Sequence, residues 1–155
     1  MSRCYLLKMC YTLSICKYVE MPLFFLPAFL LRWRVLDPML TATEGSLLAV
    51  CAAMRLGWAV NLSGGFHHAS FEQGGGFCVY PDISLAVHYL RSRLGVRRVM
   101  VVDLDAHQGN GHESDHLGDE EVFTFDAYNH HIYPNDRAAA RAIRRDIAIQ
   151  PSTTT

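Results

Sequence analysis

Asp103-Leu104-Asp105-Ala106-His107 follows an apolar run, Val99-Met100-Val101-Val102, and sets ionisable side chains two apart. In an extended chain, side chains two apart face the same way. Asp105 and His107 then offer one carboxylate oxygen and one imidazole nitrogen, two of the three protein ligands of a catalytic zinc site. A second apolar run, Trp58-Ala59-Val60-Asn61-Leu62, leads into Gly64-Gly65-Phe66-His67-His68. A neutral imidazole can take a proton from water and return it to a leaving amine. Adjacent histidines diverge, so each needs its own partner to fix ring and tautomer, and Asp103 and Asn110 are available. Gly74-Gly75-Gly76-Phe77 would let backbone approach a ligand beside an aromatic ring. Each feature alone has a plainer reading: Asp-x-His as a cap with a surface histidine, His-His as a loop turn, the glycines as an ordinary loop.

The elements that must position these groups alternate. Thr41-Ala42-Thr43-Glu44 has capping-box spacing after a turn at Asp37-Pro38, and a helix is expected from there to Leu56, stopped by Gly57. Residues 58–62 read as a buried strand and 63–81 as a Gly-rich loop. Asp82 can cap a helix whose apolar positions are Ile83, Ala86, Val87, Leu90 and Leu94, ended by Gly95. Residues 99–102 and 121–125 read as further strands. The pattern is that of an α/β fold with a parallel sheet flanked by helices. Ligands in such folds bind beyond the carboxyl ends of strands, where both motif loops fall.

The chain has 155 residues, with 14 Lys and Arg against 15 Asp and Glu, for a net charge of -1. Nothing here is basic enough to argue for sequence-independent nucleic-acid binding, and no direct nucleic-acid partner is expected. Cys4, Cys10, Cys16, Cys51 and Cys78 are odd in number and form no CxxC pair. They are expected to be reduced thiols of a nuclear or cytoplasmic protein. The apolar residues 21–31 carry two prolines and fall short of the ~20 residues needed to cross a bilayer, so no membrane span is expected.

Together, Ser63-Gly64-Gly65-Phe66-His67-His68-Ala69, Gly74-Gly75-Gly76-Phe77-Cys78 and Asp103–Gly111 resemble the zinc-dependent histone deacetylase family. Asn129-His130-His131-Ile132-Tyr133-Pro134-Asn135-Asp136 and Phe25–Leu30 are similar to its class IV branch. The resemblance implies an arginase-like parallel sheet and hydrolysis of acylated lysine side chains on proteins such as histone tails, with corepressor proteins as partners. By position, Asp105 and His107 are implied as zinc ligands. His67 is implied as the first histidine of the tandem, oriented by Asp103, and His68 as the general base and later acid, oriented by Asn110. Other members place an aspartate where Asn110 stands, so His68 lacks a nearby negative charge, which favours its neutral form. Gly76 and Phe77 are implied at the substrate tunnel. Asp103, Asp105, His107 and Asp126 are implied at a structural K+ site, mostly through backbone oxygens.

The family also supplies a third zinc-binding aspartate and a Gly-Gly-Tyr segment whose tyrosine holds the oxyanion, and neither is found here. Asp126, His112, His130 and His131 could substitute by chemistry alone. The expected organisation is a non-family extension over 1–17, a partial deacetylase domain over 18–145 lacking its later strands, and a non-family tail over 146–155. Two readings stay open: an acyl-lysine hydrolase, impaired in this form, and an inactive deacetylase-like protein acting only through binding. A related arginase-fold hydrolase of polyamines or small amides is a third.

Overall fold

The computed structural model describes residues 28–149. Residues 1–27 lie outside them, with the expected extension over 1–17 and three of the five cysteines. Cys51 and Cys78, within them, are free thiols.

The helical part begins earlier than the capping-box spacing predicts. A short helix α1 (Ala28–Leu31) passes through a π-helical segment, Arg32–Leu36, into α2 (Asp37–Leu56) without a break. Pro38 has no N–H and its ring crowds the carbonyl four residues back. The wider π turn absorbs this, with the Asp37 N–H reaching back to the Arg32 carbonyl. Thr41 and Thr43 therefore sit inside the helix, and their hydroxyls donate to the carbonyls of Asp37 and Met39 at 3.0 and 2.9 Å. Phe29–Leu56 is then one helix of 28 residues, long and apolar enough by length and composition to cross a membrane. The expectation from residues 21–31 did not foresee this. Here the helix buries Ala42 and Thr43, and α2 packs against α3 (Asp82–Leu94). Gly57 and Gly95 end the two helices in left-handed conformation, as expected.

Asp82 is the first residue of α3, and its side chain makes no cap. It is 1% exposed and accepts instead from the N–H groups of Gly65 and Phe66 at 2.8 and 2.7 Å and from Ser46 Oγ at 2.5 Å. One buried carboxylate thus ties the histidine loop to α2.

The sheet is parallel and three-stranded, in the order β1 (Val99–Asp103), β2 (Val122–Tyr128), β3 (Ile143–Ala148). Val99 pairs with Val122 and Asp103 with Asp126. In β2, Val122, Thr124, Asp126 and Tyr128 are buried while the residues between them are not, the period of two expected of a strand. A short helix, α4 (Asn110–Asp115), follows the loop after β1 and packs on the 3-10 turn Ala139–Ala142.

Two expectations change. Residues 58–62 form no strand: Trp58, Val60 and Leu62 are exposed, and Asn61 uses its amide on the Ala42 carbonyl and Ser46 Oγ. An apolar run becomes a strand only where a neighbour completes its ladder, and among the described residues none does. Conversely, β3 carries Asp146, Ile147 and Ala148, expected in an unrelated tail, into the sheet beside β2.

Candidate active site

Asp103 closes β1, but Asp105 and His107 lie in a bend beyond it rather than in a continued strand. Their orientation comes from two successive turns. Asp103 Oδ1 accepts the Asp105 N–H at 3.0 Å, and Asp105 Oδ1 accepts the His107 N–H at 2.8 Å. Each carboxylate holds the backbone two residues on. Asp105 Oδ1 and His107 Nδ1 end 3.0 Å apart.

The histidine loop closes on this bend. Asp82 anchors it at Gly65 and Phe66, and the N–H of Gly111, in the first turn of α4, donates to the His67 carbonyl at 2.9 Å. Both rings are nearly buried and lie 4.0 Å apart between centroids, tilted by 44°. His67 Nδ1 meets Asp103 Oδ2 at 2.8 Å, and His68 Nδ1 meets Asn110 Oδ1 at 2.8 Å. Both Nδ1 atoms thus face oxygen acceptors and hold the hydrogens, leaving each Nε2 with a lone pair. His67 Nε2 lies 3.8 Å from Asp105 Oδ1, and the His68 ring is 5.9 Å from that of His107. The structure brings together all six expected polar residues, His67, His68, Asp103, Asp105, His107 and Asn110.

Gly76 lies against His68: with φ +48°, a Cβ there would be 2.6 Å from His68 Cγ. Phe77 also has positive φ, +66°, and is exposed. His68 and Asn110 line a cavity of about 610 Å³ with Gln73, Tyr133 and Arg137. Tyr133 stands edge-on to His68, 5.1 Å between centroids. It appeared in the sequence only within a family motif, because nothing local to residue 133 points to residue 68.

The electrostatics separate the two histidines. Burial alone would lower His67, but the hydrogen bond to Asp103 and the charges of Asp103, Asp105 and Asp126 raise it above the usual imidazole range. Burial lowers His68, helped by His67 and His107 and opposed by the Asn110 hydrogen bond. Burial would raise Asp103, yet hydrogen bonds from His112 and His67 hold it well below the carboxylate range. Beneath the site, burial pushes Glu113 up to about 9, reinforced by its hydrogen bond to Asp126. Burial raises Asp126 too, so one proton is shared by the two carboxyls. Glu113 Oε1 and Asp126 Oδ1 are both buried without another hydrogen-bond partner.

For zinc, the chemistry and spacing of Asp105 Oδ1 and His107 Nδ1 fit. Ligands at about 2.0–2.1 Å from a tetrahedral ion lie about 3.3 Å apart. Among the described residues no group of three such donors converges. Of the substitutes named from sequence, Asp126 is bound to the Gly109 N–H at 2.9 Å and to Glu113, and His112 to Asp103. His130 stacks on His131, 3.9 Å between centroids.

The Histone deacetylase domain model matches residues 27–149. Histone deacetylase 2 of Arabidopsis thaliana is 48% identical over 134 residues, 86% of this chain and 35% of that protein. A "Probable deacetylase" of Methanothermobacter thermautotrophicus is 39% identical over 79 residues, 50% of this chain and 24% of that protein. A crystal structure of an HDAC homolog complexed with SAHA superposes with TM-score 0.60 at 23% identity, covering 72% of this chain and 32% of that one. The chain thus spans about a third or less of the length of these relatives. With that match across most of its length, the chain belongs to the histone deacetylase domain family.

Proposed function

We propose that this site hydrolyses acylated lysine side chains, acetyl or longer, on proteins such as histone tails, with Asp105 and His107 holding zinc. The observation that carries this reading is the tandem His67-His68, whose Nδ1 atoms are held by different partners, with His67 Nε2 3.8 Å from Asp105 Oδ1 and the His68 ring 5.9 Å from that of His107. Bound there, zinc would supply polarisation of the acyl carbonyl and acidify a water molecule. His68 Nε2 takes the proton from that water and delivers it to the departing lysine amine. Its pKa, lowered by burial, keeps it in the base form at neutral pH. His67, raised by Asp103, gains a proton at Nε2 more readily than His68 and in that form donates to the oxygen that turns negative as the amide carbon becomes tetrahedral. Gly76 and Phe77 would flank the acyl-lysine chain.

The class IV assignment is supported by the sequence of Asn129–Asp136 and of Phe25–Leu30. A K+ ion would draw on backbone oxygens, since the Asp126 side chain is committed to Gly109 and Glu113. Free thiols at Cys51 and Cys78 agree with a nuclear or cytoplasmic setting.

The direct test grafts the matched segment into Arabidopsis histone deacetylase 2 in place of its counterpart. The chimaera should deacylate an acyl-lysine peptide, and His68→Ala should lower kcat at least about 100-fold. A folded, zinc-loaded chimaera with no turnover would refute the reading.

A further inference from the structure

We propose that His112 is a positioning residue that holds Asp103, and through it His67, by a second imidazole hydrogen bond. His112 is fully buried, and its Nε2 lies 3.0 Å from Asp103 Oδ2, the same oxygen that accepts from His67 Nδ1 at 2.8 Å. Asp103 Oδ1 accepts the Asp105 N–H. One carboxylate thus takes three donors from three segments: the histidine loop, the bend after β1, and α4. His112 Nδ1 is buried with no partner, the arrangement expected if the hydrogen sits on Nε2 and Nδ1 keeps its lone pair, because a buried N–H without an acceptor costs more. Gly109 makes the approach feasible. A Cβ there would collide with both Asp103 Oδ2 and His112 Nε2 and lie 2.9 Å from His112 Cδ2. The sequence spacing Gly109-Asn110-Gly111-His112 therefore serves two histidines: Asn110 orients His68, and His112 fixes the group that orients His67. With Oδ2 held between two imidazoles, the carboxylate cannot swing away, and His67 stays in its Nδ1–H form.

The test is a long-range ¹H–¹⁵N spectrum of the full chain on the alkaline side of the imidazole range. Wild type should show His112 as the Nε2–H tautomer and His67 as Nδ1–H. His112→Leu should lower the ratio of the two His67 tautomers about tenfold, the worth of one hydrogen bond. His112→Gln, which keeps a donor, should restore it. His112 found in the Nδ1–H form in the wild-type chain overturns the proposal, even if the leucine variant does not fold. So does a His67 ring unchanged in folded His112→Leu. The effect on turnover rests on the hydrolase reading above; the ring spectra do not, so failure of one is distinguishable from failure of the other. In the chimaera, His112→Leu should lower kcat with KM unchanged, and His112→Gln should recover most of the loss.

Discussion

Replacing Gly76 by alanine tests how closely the glycine loop is fitted to His68. The new Cβ would sit 2.6 Å from His68 Cγ. Carbon atoms rest at about 3.5–4.0 Å, so the ring must retreat by about 1 Å. The His68–Asn110 hydrogen bond, now 2.8 Å, would then stretch beyond bonding range. Losing it costs about 1 kcal/mol, and holding an L-residue at φ +48° costs about 1–2 kcal/mol more. Urea denaturation should therefore show Gly76→Ala destabilised by about 2–3 kcal/mol, with the His68 ring signals shifted. Gly75→Ala is the control. Its Cβ would be 3.4 Å from the His68 carbonyl oxygen and Tyr133 Oη, an ordinary contact, so the cost should stay below about 1 kcal/mol. Equal stability of Gly76→Ala and wild type, with His68 unmoved, would refute the fit.

Asp103→Asn removes a carboxylate that accepts from His67, His112 and the Asp105 N–H, and should cost about 2–3 kcal/mol. Because Asp103 is lowered in the folded state, its contribution is present above the unfolded carboxyl value of about 4 and lost as pH falls below it. The variant should show a flatter stability curve on that acid side. Glu113 has the opposite sign. Raised to about 9, it keeps a proton that the unfolded chain releases near pH 4.3, so stability falls as pH rises across that window. Glu113→Gln, able to bridge Gln108 and Asp126, should remove that decline in Tm, and an unchanged slope would contradict the shared proton. His107→Ala should abolish zinc uptake measured by calorimetry, whereas His131→Ala should leave it unaltered.

The loops that carry chemistry were legible in sequence because their signals are local. Asp105 and His107 are two apart, and each carboxylate caps its own next turn. His67 and His68 demand separate partners, and Asp103 and Asn110 supplied them. Element boundaries were less legible. The start of α2 was hidden because Thr41 and Thr43 hydroxyls serve equally as caps or as bonds to the turn behind, and only the π segment before Pro38 decides between them. Residues 58–62 have strand composition, but pairing is a tertiary fact. Strand β3 was missed for the converse reason: Arg144, Arg145 and Asp146 are exposed at a sheet edge and show no alternation. His112 read as a ligand candidate because its type was visible and its partner, nine residues back and folded beneath the bend, was not.

The central proposal is that the Asp105–His107 pair holds one divalent ion, within reach of His67 and His68. Titrating zinc into the ¹⁵N-labelled chain while following all imidazole nitrogens tests it most directly. The account predicts a large, saturable shift at His107 Nδ1, with His67 and His68 keeping their Nδ1–H tautomers. Zinc that leaves His107 unshifted and instead perturbs His130 and His131, or that binds through His68 Nε2, would contradict it.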